Sequence, residues 1–174
     1  MYALVESGSI RETFIKPKSM QIGDFKYAKN IFTLWTESEL NAIGLYTVEK
    51  DNSNLKDSDY YTNASINYTF ADNKVTSTYN SPTAKNLASL KTLKIEQINE
   101  TTHYLLNKTD WYIVKSTEIS SYTIPSSIIN YRASVRVKAN SMETQINNAL
   151  DVDALAALYI YTDGIRPLGE LPTE

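Results

Sequence analysis

The apolar residues of this chain change their spacing at Ser81-Pro82, and that change limits the folds open to it. Before the break they alternate. Ile66, Tyr68 and Phe70 share one face of residues 65–71, Asp72-Asn73 supplies a turn, and Val75 and Tyr79 resume the alternation. A period of two around a turn describes a half-buried hairpin. After the break the spacing is three, four and seven. Leu87, Ala88, Ile95, Ile98, Thr102 and Leu105 recur in this way over residues 83–107. Ile128, Val135, Ala139, Met142, Ile146 and Ala149 do so over residues 126–149, and such a stripe needs a helix to gather it onto one face. The chain is therefore expected to be α+β. Residues 1–80 form a small β-rich domain, 81–161 an antiparallel helical hairpin with a Trp-containing crossover, and 162–174 an extended tail.

Local signals fill in the first half. Residues 1–5 and 10–15 read as strands around Glu6-Ser7-Gly8-Ser9, which is turn chemistry. Residues 25–32 are expected to be extended. Thr36 and Glu39 have capping-box spacing, with Trp35 and Leu40 as a hydrophobic staple and Gly44 as the stop. A short helix over 37–43 follows, with Trp35 anchored in the core, and then a strand over 45–49. Residues 50–59 are a charged loop, and extended structure resumes at Tyr60-Tyr61.

In the second half, Thr83 is a candidate N-cap for the first long helix. Residues 111–114 read as a short β-like run, with Trp111 plugging the space between the helices. Pro125 forces Ile124 out of helical conformation and starts the second long helix, where Ser126 or Ser127 can cap the first turn. Asp151 caps a short final helix. The second stripe admits two packings, against residues 83–107 of the same chain or as a homomeric coiled coil.

Composition closes off several functions. The chain has no cysteine, so disulfides, thiolate metal sites and cysteine nucleophiles are excluded. His103 is the only histidine, and no phosphate-binding loop, nucleophile elbow or dinucleotide fingerprint occurs. No metal or cofactor is expected. The net charge is −3 without a basic run, which argues against nucleic acid. No apolar run approaches the ~20 residues that span a bilayer. Residues 1–6 lack the basic start and apolar core of a signal peptide, so a cytoplasmic site of folding is expected. Asp57/Asp59 and Asp151/Asp153 are the carboxylate pairs that acid–base chemistry could use, and helix capping accounts for the second pair without it.

Two features suit contact with other proteins. Arg132 and Arg136, four apart beside Tyr131, share a helix face; they either pair with acidic groups of the same chain or offer a polar patch to another subunit. The tail carries Ile165, Leu168 and Leu171 between Gly164, Pro167, Gly169 and Pro172. It either lies on its own domain or docks in a partner's groove.

Several elements in order resemble the phage tail assembly chaperone family: Thr109-Asp110-Trp111-Tyr112-Ile113-Val114-Lys115, Glu118, Ile124-Pro125 and Tyr131-Arg132-Ala133-Ser134-Val135-Arg136. The opening Met1-Tyr2-Ala3-Leu4-Val5-Glu6 with Trp35-Thr36-Glu37-Ser38-Glu39-Leu40 also looks like the start of phage tail-associated proteins. The chain departs from the family at Ser116-Thr117-Glu118-Ile119-Ser120, where a basic residue and glycine commonly surround the Glu. The resemblance implies a non-enzymatic tail protein of the virion, assembled in the host cytoplasm. It would be a fibre- or baseplate-associated structural or adaptor component binding other tail subunits, with homo-oligomerisation open. A transient tail-fibre assembly chaperone absent from the mature virion is the alternative, and a carboxylate-dependent hydrolase a third reading.

Overall fold

A computed structural model describes residues 1–173 and divides the chain into two compact units, Met1–Thr83 and Ala84–Glu174. It is an α+β protein, strand-rich in the first unit and helical in the second. The junction falls just past the expected residue 80. Residues 162–173 belong to the second unit instead of standing apart from it.

The first unit contains β1 (Tyr2–Glu6), β2 (Ser9–Phe14), β3 (Met20–Ile22), β4 (Phe25–Tyr27), α1 (Ile31–Leu34), α2 (Glu37–Ala42), β5 (Leu45–Asp51), β6 (Tyr61–Thr62), β7 (Ile66–Ala71) and β8 (Lys74–Tyr79). β9 (Thr83–Ala84) pairs with β6 at the junction. The region expected to be extended over 25–32 thus divides into β4 and α1. The main sheet runs β2-β1-β5-β8-β7, with β5 and β8 parallel and its other pairs antiparallel. Both hairpin turns, Ser7-Gly8 and Asp72-Asn73, have two successive positive φ angles. That geometry matches the right-handed twist of the flanking strands.

A β-bulge sorts the residues of β2 between two cores. Pairing passes from Leu4 opposite Glu12 to Val5 opposite Ile10, leaving Arg11 as the extra residue. The slip turns Ile10 onto the face of Ala3, Val5, Tyr46, Val48 and Val75, while Phe14 stays on the face of Leu4, Ile31, Leu40 and Leu45. The sheet curls around the first cluster. Its edge strands β2 and β7 approach without pairing, and Tyr46 of β5 reaches Phe70 of β7 with ring centroids 4.9 Å apart.

The helices cover the other face. The Glu39 N–H donates to Thr36 Oγ1 at 3.3 Å, and the Thr36 N–H donates to Glu39 Oε2 at 2.7 Å, completing the capping box. Trp35 is half-buried against this cluster, edge-on to Tyr27 at 5.8 Å. Gly44, at φ +84°, lets the chain pass so close to Val5 that a Cβ there would collide with the Val5 carbonyl oxygen.

The second unit holds α3 (Leu87–Asn107), α4 (Asp110–Glu118), α5 (Ser126–Asn148) and α6 (Val152–Ala157). α3 and α5 pack antiparallel. Near one end Lys91 Nζ donates to the Asn147 carbonyl at 2.8 Å; near the other Arg132 Nη1 donates to the Leu106 carbonyl at 2.8 Å. All six residues of the α5 stripe are buried. On α3, Ile98 and Leu90 are buried while Ala88 is exposed. The α3 cap is Asn86, which accepts from the Ser89 N–H at 2.9 Å, in place of Thr83. α5 follows Pro125 without a side-chain cap, so neither Ser126 nor Ser127 serves there. Asp151 caps α6, accepting from the Ala154 N–H at 2.7 Å.

The β-like run expected at 111–114 is helical, and Trp111 is 51% exposed instead of filling the space between helices. The local preference of Trp, Ile and Val for strand is overridden at the ends of the segment. Asp110 stands in the first turn, where the helix dipole favours negative charge, and Lys115 lies in the last.

Candidate interaction surface

Arg132 is the organising residue of the α4–α5 region. Its guanidinium is 7% exposed. It donates from Nη1 to Thr109 Oγ1 at 2.6 Å and to the Leu106 carbonyl at 2.8 Å, and Nη2 pairs with Asp110 Oδ1 at 2.7 Å. Thr109, itself 1% exposed, also donates its hydroxyl to the Leu106 carbonyl at 2.9 Å. One planar fork thus fastens the end of α3, the start of α4 and the first turns of α5, a task suited to arginine's fixed donor geometry. Of the two readings of this arginine, intramolecular pairing describes Arg132, and its head group is removed from any partner surface.

Arg136, one turn further along α5, is exposed; it makes a long 3.5 Å contact to the Arg132 carbonyl. It shares with Ile113, Ile129 and Arg132 a shallow groove of about 210 Å³ between α4 and α5. Around the groove Trp111, Val114 and Ile129 are each about half exposed and Ile113 is 40% exposed. Lys115 Nζ lies 5.7 Å from the Trp111 ring centroid and 4.3 Å from that of Tyr122, holding a cation over the aromatic edge. The result is an apolar patch with positive charge at its border. Sequence reasoning missed Trp111, Ile113, Val114 and Ile129 as a surface; the available signal was Asp110 and Lys115 at the two ends of one helical segment. Tyr131 is half-buried, and its hydroxyl is buried without a hydrogen-bond partner among the described residues.

The tail residues expected to meet a partner separate into three environments. Leu168 is completely buried within its own unit; its N–H donates to the Leu158 carbonyl at 3.1 Å and its carbonyl accepts from Lys138 Nζ at 2.8 Å. Leu171 is half-buried and lines a cavity of about 350 Å³ with Ile98, Met142 and Tyr159. Ile165 alone is strongly exposed, at 73%, on a tight turn in which Thr162 and Ile165 exchange two backbone hydrogen bonds. The tail is a strap across its own helices, and Leu168 cannot serve a partner. Burial pushes the Tyr159 phenol upward against the opposing charge of Arg166, and the hydrogen bond to Glu170 raises that of Tyr161.

The remaining chemistry-bearing residues have structural work. His103 contacts Asn107 at 3.1 Å on exposed α3. Asp57 accepts from the Asp59 N–H at 2.8 Å. Among the described residues, no three His, Cys, Asp or Glu side chains converge as metal ligands, and no helix is long and apolar enough to cross a membrane. Comparison with protein-family models, curated proteins and solved structures returns no match.

Proposed function

We propose that this chain is a non-enzymatic bacteriophage tail protein, a fibre- or baseplate-associated adaptor that binds other tail subunits through its α4–α5 face. One observation carries the reading. Residues bearing the resemblance to tail assembly chaperones meet in space: Asp110 and Arg132 lock the helices, while Trp111, Ile113 and Arg136 stand outward around one groove. Exposed aromatic and arginine side chains on a rigid base are the composition of protein interfaces. The carboxylates of Asp57 and Asp151 are engaged with backbone N–H groups, which supports an adaptor over a hydrolase.

Mass spectrometry of purified virions tests the reading, with stoichiometric presence expected. Absence from virions combined with binding to newly made fibre protein would establish the transient chaperone instead. Retention of fibre and baseplate binding by Trp111→Asp would remove the α4–α5 face from consideration.

A further inference from the structure

The inner face of the curled sheet continues into a pocket that the partner-binding reading does not use. The inward positions are Tyr46, Val48 and Lys50 on β5, Val75, Ser77 and Tyr79 on β8, and Phe70, Tyr68 and Ile66 on β7. Tyr46, Val48 and Val75 fill the core. Further along, Lys50, Ile66, Tyr68 and Tyr79 line a cavity of about 550 Å³, with Met1 and Leu55 completing much of its apolar wall. That volume falls within the ~300–1,000 Å³ of small-molecule sites, which are mostly apolar with a few placed polar groups.

Lys50 is the anomaly. Strand alternation brings a cation to the face that buries Tyr46 and Val48. The acids beside it are directed and employed elsewhere. Glu49 pairs with Lys74 at 3.3 Å, and the Asp51 carboxylate accepts from the Ser53 N–H at 2.9 Å and the Thr78 hydroxyl at 3.5 Å. Lys50 has no ion-pair partner among the described residues. The Tyr68 hydroxyl donates only to the Met1 sulfur, at 3.7 Å, and a thioether is a weak acceptor that a carboxylate would displace.

We propose that this pocket binds a small amphipathic carboxylate. Its alkyl or aryl body lies against Ile66, Tyr79 and Leu55, and its carboxylate meets Lys50 with Tyr68 as second donor. A single cation over an apolar cavity favours one negative charge on an apolar body.

Calorimetric titration of the full chain with decanoate, and with decanol as the uncharged counterpart, tests this. Saturable one-to-one decanoate binding is expected, with decanol weaker by about tenfold, the scale of one charge-assisted hydrogen bond. Lys50→Met should weaken decanoate by a similar factor, while Lys50→Arg retains it and Trp111→Ala leaves it unchanged. Each variant is checked for native circular dichroism. Absence of saturable binding, equal affinity for decanol, or unchanged affinity in Lys50→Met overturns the proposal. So does dependence on Trp111, which would place the ligand on the α4–α5 face.

Discussion

Truncating Leu168 measures how far the C-terminal segment belongs to the fold. Its side chain is completely buried, and Leu→Ala changes at such sites cost about 2.7–5.0 kcal/mol, the spread following the residual cavity. Two features of the site set the value here. The backbone bonds of Leu168, to the Leu158 carbonyl and from Lys138 Nζ, use main-chain atoms that alanine keeps. The side chain also borders the cavity lined by Ile98, Met142 and Tyr159, so the space vacated joins an existing opening instead of forming a sealed void. The sealed-cavity share of the penalty is reduced, and Leu168→Ala should cost about 2–3 kcal/mol, the lower part of the range.

Deleting residues 162–174 should cost more, because it also removes the partner of Lys138 and uncovers Ile98 and Met142. Urea unfolding followed by helical circular dichroism reads both changes. A cost below about 1 kcal/mol for Leu168→Ala would mean that the segment rests loosely on the helices, and the strap would fail as a description. A loose tail also carries the opposite functional expectation, since it would be free to dock elsewhere.

Other outcomes follow from single contacts. Trp111→Ala should cost less than about 1 kcal/mol in unfolding free energy, because half of the ring is already in water, and any larger loss would place it in the core. Gly44→Ala should destabilise by about 1–3 kcal/mol, through both its left-handed φ and the approach to Val5; an unchanged urea midpoint would contradict the geometry. The Thr36 N–H, then its hydroxyl, hold the Glu39 carboxyl below its ordinary value. Its stabilising contribution is complete above the unfolded value of about 4.3 and is lost as pH falls through the lower folded one; Glu39→Gln should flatten that acid dependence. A double-mutant cycle of Arg132→Met and Asp110→Asn should return a coupling of about 0.5–3 kcal/mol, and additivity would show that the pair does not act as a unit.

The readable parts of this fold are those whose cause lies within a few residues. Thr36 and Glu39 stand three apart, Asp72-Asn73 accepts positive φ, and the α5 stripe returns to one face every turn. The unreadable parts depend on residues distant in the chain. The bulge at Arg11 exists because Ile10 must face Val5, and the parallel pairing of β5 with β8 joins segments separated by the loop and β7. Neither leaves a local mark. The candidate surface was missed for the same reason. Trp111, Ile113 and Val114 have strand preference individually, and the partner that holds Asp110 at a helix start is Arg132, more than twenty residues later.

This dependence divides the work of the two arginines on α5. Positions four apart lie along one side of a helix, yet Arg132 is buried under α4 while Arg136 lies just beyond its cover. Arg132 then acts on any partner only through α4: its loss would loosen Trp111 and Ile113 together, lowering stability and binding in parallel. Arg136 supports no buried acceptor comparable to Thr109, so its loss should spare the fold and reduce association by weakening a charge at the rim, most visibly at low salt. A binding loss in Arg136→Ala that tracks a stability loss would break this division. The pattern expected of an adaptor is an unfolding transition moved by Arg132→Met alone and a salt-dependent association rate moved by Arg136→Ala.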